Sequence, residues 1–463
     1  MGKKRIIGLV VAVIIMILTA IISPPAGLTV AGKNALGLLI AGVVLWITES
    51  MPLAISAMLL MILLPVFGVT SLSNVYKDFM SSAIFFVIAT FGLTTAISNT
   101  NFSVRLTGKI MKWSGNSPKK IVLGFIACTA LLSTVMTNTA VCALWMAMGL
   151  AALKCTGAKP GESNLGRCLM IGIPFAAFIG GYATPAGVSI NMMAIGLLEQ
   201  AANIKISFLQ WMIVGIPLTI IMIPVCWWSL VSIFKPEPIK QEDMAEIMKN
   251  VNELGPMSPN EKKVVILILA MLVLWICNTW VPALDTSMVA IAGLVVMFLP
   301  GIDLLTWDDF VKGVSWNIIL LIGGVQALAT GILKTGAGIW IVKSTMAGAG
   351  SWGDTITNLA ASVLMTILHM IIPVGPAIVG MSTAPIVSLA PIVGTSAGGL
   401  TVMVAIMSAT AFLLPIDCVP LITYSKGYYS FTDYIKAGVL PTIILILYCG
   451  LILPHLARLV GLM

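Results

Sequence analysis

A cluster of hydroxyl and amide side chains interrupts a long apolar stretch near residue 135. Within the segment 131–140 the polar residues are Ser133, Thr134, Thr137, Asn138 and Thr139. Inside a bilayer, polar side chains are tolerated where they line a cavity or bind a ligand, because no water is present to satisfy them. Neutral oxygens and free carbonyls can replace the hydration shell of a small cation such as sodium, whereas free helix N-termini favour an anion. The segment therefore predicts half of a binding site.

Three further polar interruptions supply candidate partners for this segment. They are residues 183–191, 380–383 and 415–420. A single Ser or Thr in a membrane helix is more often a packing residue than a ligand. Asn138 favours a site, because a side-chain amide stands between two threonines at a helix break. Asp417 is an intramembrane carboxylate, and we expect it either to hold a cation or a proton or to cap a helix or pair with Lys426.

The composition restricts the class of protein. The chain has 463 residues, of which 59% are hydrophobic and 9% charged, whereas soluble domains have about 25% charged residues. Long continuous apolar blocks favour helices over the alternating strands of an outer-membrane barrel. Two histidines and the absence of an HExxH motif argue against metal-dependent hydrolysis, and eight cysteines without a CxxC pair are typical of core residues. We expect an all-α polytopic membrane protein that is not an enzyme and binds no nucleic acid.

The apolar blocks predict eleven transmembrane helices and two re-entrant hairpins. The crossings are expected near 6–23, 34–50, 53–68, 81–99, 168–199 (interrupted), 210–234, 263–281, 285–300, 315–333, 400–421 (interrupted) and 437–457. The hairpins are expected at 121–153 and 355–395, because polar residues break each of these blocks near its middle.

The chain divides into two similar halves. LWIT at 45–48 recurs as LWIC at 274–277, and LP at 64–65 recurs at 299–300. The predicted organisation is an N-terminal helix (1–34), a first repeat (35–234), a linker (235–262) and a second repeat (263–463). An odd number of crossings before the second repeat inverts it in the membrane.

The Lys and Arg residues predict the orientation. Six of the 25 fall on the outer side (Lys33, Lys77, Lys205, Lys334, Lys343 and Arg458), which leaves nineteen on the inner side. Basic residues concentrate in cytoplasmic loops. The N-terminus is therefore expected in the cytoplasm and the C-terminus outside, in a plasma-membrane protein.

Taken in order, several motifs resemble those of the divalent anion/sodium symporters, a family that includes bacterial dicarboxylate and citrate carriers. The motifs are WITE at 46–49 with PL at 52–53, TNT at 137–139 in place of the family's Ser-Asn-Thr, GG at 180–181, ISFLQWM at 206–212 with GIP at 215–217, NEK at 260–262, and KGYYSF at 426–431. The resemblance extends over both halves.

The resemblance implies a sodium-coupled elevator transporter, usually a homodimer, with a scaffold domain and a transport domain. Its substrates would be small di- or tricarboxylates such as succinate, malate or citrate. The resemblance places sodium ligands at Ser133, Thr137, Asn138 and Ala183. For a second sodium site the candidates are Gly380, Ser382 and Asp417, where Asp417 would replace a missing amide. The substrate-binding residues that the resemblance implies are Thr137, Asn138, Thr139, Thr184, Pro185, Ser382, Thr383 and Cys418.

The second half departs from the family pattern. Its expected tip reads Met381-Ser382-Thr383 and lacks the amide, and Asp417-Cys418-Val419 stands where the first half has the Ala183-Thr184-Pro185 turn, so that Asp417 is expected to correspond to Ala183. A carboxylate beside a dianion repels it unless it is protonated or paired with a cation. Sodium-independent anion exchange, or transport of a monovalent or inorganic anion, therefore remains an alternative. A channel is favoured less, because paired helix breaks suit alternating access.

Overall fold

The computed structural model describes residues 2–238, 255–281, 283–345 and 353–462. Within these ranges the protein is all-helical and contains no strand, which confirms the predicted class. The helices before the linker are α1 (Gly2–Ile21), α2 (Val30–Thr48), α3 (Leu53–Val66), α4 (Leu72–Phe79), α5 (Ser82–Ser98), α6 (Phe102–Ser114), α7 (Pro118–Ser133), α8 (Asn138–Cys155), α9 (Asn164–Gly181), α10 (Ser189–Ala202) and α11 (Phe208–Phe234).

The helices after the linker follow in a similar order. They are α12 (Pro259–Cys277), α13 (Thr286–Met297), α14 (Trp307–Gly313), α15 (Trp316–Lys334), α16 (Ala337–Thr345), α17 (Asp354–Ile371), α18 (Gly375–Val393), α19 (Ala397–Ser408), α20 (Cys418–Tyr424), α21 (Phe431–Leu447) and α22 (Leu453–Leu459), with a π-helical turn at Tyr448–Ile452. The ten helices α2–α11 correspond in order to α12–α21. The bounds of the two halves and their inverted relation stay predictions.

Local sequence explains where the helices begin. The Ser207 hydroxyl accepts a hydrogen bond from the Gln210 backbone N–H at 3.2 Å, and the Gln210 side chain accepts one from the Ser207 N–H at 2.8 Å. This capping box satisfies two N–H groups that the first turn of α11 leaves free. Ser258 and Glu261 form the same arrangement at the start of α12.

Ten helices in the described part of the chain are long and apolar enough to cross a bilayer. The crossings expected at 53–68 and 285–300 are α3 and α13, with 14 and 12 residues. At 1.5 Å per residue these helices are only about 21 and 18 Å long, short of the roughly 30 Å hydrocarbon core. The count of eleven crossings therefore stays a prediction.

Three of the four predicted interruptions, at 131–140, 183–191 and 415–420, overlap gaps between helices, whereas residues 380–383 lie inside α18. Residues 134–137 separate α7 from α8, and residues 182–188 separate α9 from α10. In the second half, residues 372–374 separate α17 from α18, and residues 409–417 separate α19 from α20. Whether the two hairpins are re-entrant stays a prediction.

The start of the linker is hydrogen-bonded to the N-terminus of α9. The Glu237 carboxylate accepts hydrogen bonds from the backbone N–H groups of Asn164 and Leu165, at 2.6 and 2.7 Å. Burial would raise the pKa of Glu237, but the hydrogen bonds that its carboxylate accepts, including one from the Ser163 hydroxyl, together outweigh this effect and lower the pKa. A negative charge here also complements the positive end of α9. Residues 239–254, most of the predicted linker, lie outside the described residues.

Candidate functional site

The first helix break holds three oxygen atoms close together. The Ser133 hydroxyl lies 2.9 Å from Asn138 Oδ1 and 2.7 Å from the Ala177 carbonyl oxygen. Ser133 is fully buried and Asn138 is 4% exposed. A hydroxyl carries one proton, so it can donate fully to only one of the two acceptors. The cluster is therefore rich in lone pairs and suits a small cation.

Glycines allow the helix ends to approach this cluster. A Cβ on Gly181 would lie 2.9 Å from Asn138 Oδ1, and one on Gly180 would lie 2.1 Å from the Ala130 carbonyl oxygen. The absence of a side chain at these two positions lets the end of α9 pack directly against the tip between α7 and α8. The Gly180-Gly181 pair thus positions Asn138.

The second break of the first half is held to the tip by hydrogen bonds. The Thr184 hydroxyl donates to the Thr134 carbonyl oxygen at 2.5 Å. The Asn191 amide donates to the carbonyl oxygens of Gly181 and Thr184, at 2.9 and 3.0 Å. Ala183 and Pro185 lie in the same gap. The tip and the broken crossing therefore form one connected unit.

The two halves meet at this unit. The Thr139 hydroxyl lies 4.0 Å from Cys418 Sγ, and the Cys142 thiol lies 3.4 Å from the Val419 carbonyl oxygen. The Tyr182 hydroxyl is hydrogen-bonded to the Thr410 hydroxyl at 2.7 Å. The starts of α8 and α20, which are Asn138 and Cys418, thus face one another across the halves, as expected for a shared site.

The predicted position of the second tip is wrong. Gly380, Ser382 and Thr383 lie inside α18, five to eight residues after its first residue Gly375. The Thr383 hydroxyl donates to the Val379 carbonyl oxygen at 2.7 Å, and Gly380 packs against Val325. These residues are not at a helix end, although Pro385, which has no N–H, leaves the Met381 carbonyl without its usual helical donor.

Prolines explain where the second tip lies. Ile372 precedes Pro373, and Val374 precedes Gly375-Pro376. A residue before proline is driven out of the α conformation, and proline itself fits the first turn of a helix. The tip is therefore Pro373-Val374-Gly375, where the first half has Thr137 and Asn138. It carries no side-chain hydroxyl or amide.

The predicted equivalence of Asp417 with Ala183 is also wrong. Asp417 is the N-cap residue of α20, and the N-cap residue of α10 is Val188. Asp417 Oδ1 accepts a hydrogen bond from the Val419 backbone N–H at 2.9 Å. Its Oδ2 lies 3.6 Å from His369 Nε2. Asp417 therefore caps α20, which is one of the two alternatives expected for it, and its part in cation binding stays a prediction.

The histidine beside Asp417 is a site residue that sequence reasoning missed. His369 lies near the end of α17 and is 3% exposed, and its Nδ1 is 3.3 Å from the Met407 carbonyl oxygen. The sequence carried one signal, because the chain has only two histidines and this one falls inside a predicted hairpin. Its partner became visible only when the fold brought α17 and α20 together.

The fold is similar to that of a solved transporter over almost its full length. The solved transporter YdaH of Alcanivorax borkumensis superimposes with a TM-score of 0.58 over 99% of both chains, at 12% identity, and so shares the fold. A protein named sodium-dependent dicarboxylate transporter SdcS, from Staphylococcus saprophyticus, is 26% identical over 94% of this chain and 88% of its own.

A relative from an animal is similarly distant. The Caenorhabditis elegans protein named sodium-dependent high-affinity dicarboxylate transporter 3 is 27% identical over 85% of this chain and 78% of its own. The profile of the family described as "Sodium:sulfate symporter transmembrane region" matches residues 3–460, almost the full length. The chain therefore belongs to the sodium:sulfate symporter family of multi-pass membrane transporters.

Proposed function

We propose that this protein is a secondary active transporter that couples the movement of small carboxylates to sodium. The observation that carries the proposal is the buried cluster of three oxygens at Ser133, Asn138 and Ala177. The names of the two relatives above, both sodium-dependent dicarboxylate transporters, support the same ion and the same class of substrate.

The sodium ion would bind at the first tip. Its ligands would be the Ser133 hydroxyl, the Asn138 side-chain oxygen and backbone oxygens of Thr137 and Ala183. Thr137 is the N-cap residue of α8, and its N–H faces the Thr94 hydroxyl at 3.4 Å. Neutral oxygens desolvate a monovalent cation without burying an opposite charge, and a broken membrane helix provides such oxygens.

The carboxylate would bind beside the sodium ion, where the starts of α8 and α20 face one another. Asn138, Thr139 and Cys418 lie at these helix starts, and Thr184 and Pro185 lie in the adjoining gap. The N–H groups and the positive end of the 18-residue α8 favour an anionic group. Gly380, Ser382 and Thr383 are left out of this site, because they lie within α18.

An elevator mechanism forms part of the proposed function. The two halves would be inverted repeats, and an elevator motion would carry the transport domain past the scaffold in a homodimer in the plasma membrane. The N-terminus would lie in the cytoplasm and the C-terminus outside. The close contacts across the halves at Thr139–Cys418 and Tyr182–Thr410 suit a site that moves as one body.

Uptake by proteoliposomes tests the proposal. Radiolabelled succinate, malate or citrate should accumulate when an inward sodium gradient is imposed and not when potassium replaces sodium. Asn138→Ala should abolish sodium-driven uptake while the protein still inserts and remains folded. Equal uptake in sodium and potassium, with acceleration by internal substrate, would instead establish sodium-independent exchange, and competition by sulfate would establish an inorganic substrate.

A further inference from the structure

The second half provides a different environment for a cation from the first. At the first tip Asn138 supplies an amide, but the corresponding second-half residue is Gly375, the first residue of α18. A Cβ on Gly375 would lie 2.6 Å from the Ser408 carbonyl oxygen, so no longer side chain fits there. The ionisable groups near this tip are instead the carboxylate of Asp417 and the imidazole of His369.

The contacts of His369 identify which of its nitrogens carries a proton. Nδ1 lies 3.3 Å from the Met407 carbonyl oxygen, which can only accept, so Nδ1 is the donor. Nε2 then faces Asp417 Oδ2 at 3.6 Å and has no other polar partner among the described residues. A lone pair on Nε2 would oppose an anionic oxygen, whereas a proton on Nε2 would be attracted to it. The ring is thus fixed by the Met407 carbonyl on one side and directed at the Asp417 carboxylate on the other.

The other groups near Asp417 cannot neutralise it. The thiols of Cys142 and Cys418 and the phenol of Tyr434 also interact with this carboxylate. None of these three groups carries a positive charge in any protonation state. In the described part of the chain, the ion pair of Asp417 is with His369.

The packing around the imidazole leaves little space for a hydrated ion. A cavity of about 20 Å³ adjoins His369, Met407 and Thr410. This volume holds roughly one water molecule. The Ser408 hydroxyl, fully buried at the end of α19, has no hydrogen-bond partner among the described residues.

From these contacts we propose that His369 is a built-in counter-cation for Asp417 and occupies the electrostatic place of a second sodium ion. The proposal rests on the sodium-coupled transport proposed above and specifies its stoichiometry. Sodium would bind at the first tip alone, and the neutral His369–Asp417 pair would move with the site without exchanging a cation.

The Hill coefficient for sodium in transport tests this assignment. Initial rates of succinate uptake would be measured against sodium concentration for the unaltered protein, His369→Gln, and the double variant His369→Gln/Asp417→Asn. Glutamine keeps a hydrogen-bonding side chain and removes the positive charge, which leaves Asp417 in need of a cation. The Hill coefficient should therefore rise by about one in His369→Gln and return in the double variant. His455→Gln, which alters the other, exposed histidine, should leave it unchanged. An unchanged coefficient in His369→Gln would overturn the proposal.

Thermal unfolding separates this inference from the proposed function. In detergent, His369→Gln should lower Tm, and the added Asp417→Asn should restore at least half of the loss, because a neutral pair replaces an unpaired charge. Losses that simply add would refute the ion pair, whether or not the protein transports carboxylates. A protein that shows the restored Tm but no sodium-dependent uptake would refute the transport proposal and keep the pair.

Discussion

Removal of the Ser133 hydroxyl tests the sodium cluster most directly. In Ser133→Ala, Asn138 Oδ1 and the Ala177 carbonyl oxygen both lose the group that lies 2.9 and 2.7 Å from them. Ser133 would also be a sodium ligand, and an interaction with a charged group is worth about 1.5–3 kcal/mol. Loss of this ligand should therefore raise the half-saturating sodium concentration roughly 10- to 150-fold. The succinate KM at saturating sodium should change much less.

The same helix provides the control. Thr129 lies four residues before Ser133 in α7 and is also fully buried, but its hydroxyl has no hydrogen-bond partner among the described residues. Thr129→Val therefore removes a buried hydroxyl without breaking a hydrogen bond. Uptake by proteoliposomes at graded sodium concentrations compares the two variants. An equal shift in both would show that Ser133 acts through packing, and the reasoning about the cluster would be wrong.

Three further changes test other contacts. Gly181→Ala places a methyl group 2.9 Å from Asn138 Oδ1; it should displace the amide and weaken sodium dependence at least tenfold, while Gly353→Ala, where the added methyl meets nothing within 4 Å, should not. Thr139→Cys should form a disulfide with Cys418 under mild oxidation, because Thr139 Oγ1 lies 4.0 Å from the thiol, and failure to crosslink would contradict the meeting of the two helix starts. Glu237→Gln should lower Tm at neutral pH, because a charge at the start of α9 contributes about 0.3–1 kcal/mol. The lowered pKa of Glu237 means that this contribution is present above its ordinary value of 4.5 and is lost as the pH falls through the folded value, so the Tm of the two proteins should converge in acid.

The first half of the site could be predicted because its chemistry is local. Hydroxyl and amide residues at 133–139 interrupt an apolar run, and the structure ends α7 at Ser133 and begins α8 at Asn138. The hydrogen bond from Ser133 to Ala177 and the contact of Asn138 with Gly181 cannot be predicted from the sequence, because they depend on how α9 packs against the tip. The helical class follows from the composition together with the length of the apolar blocks.

The second tip is misplaced because the prediction follows the hydroxyl residues Ser382 and Thr383 and not the repeat offset. The repeated motifs lie 229 to 235 residues apart (274 minus 45 and 299 minus 64), which carries Asn138 to 367–373. This is close to the observed spacing, since α7 and α17 begin 236 residues apart (354 minus 118) and α8 and α18 begin 237 apart (375 minus 138). The helix α19 has 12 residues and α9 has 18, so the register changes before Asp417. Proline at 373 and 376 decides the true tip, and Ser382-Thr383 resembled the motif without lying at a helix end.

The two tips have their glycine and their larger residue at opposite helix ends, and this difference explains why their chemistry differs. In the first half the large residue is Asn138 at the start of α8, and the glycine is Gly181 at the end of α9. In the second half the glycine is Gly375 at the start of α18, and the residue at the end of α19 is Ser408. An amide at Gly375 would collide with the Ser408 carbonyl, since even a Cβ there lies 2.6 Å away. The second half therefore cannot build an amide-based cation site, and a charged pair on α17 and at the start of α20 is the arrangement that its backbone allows.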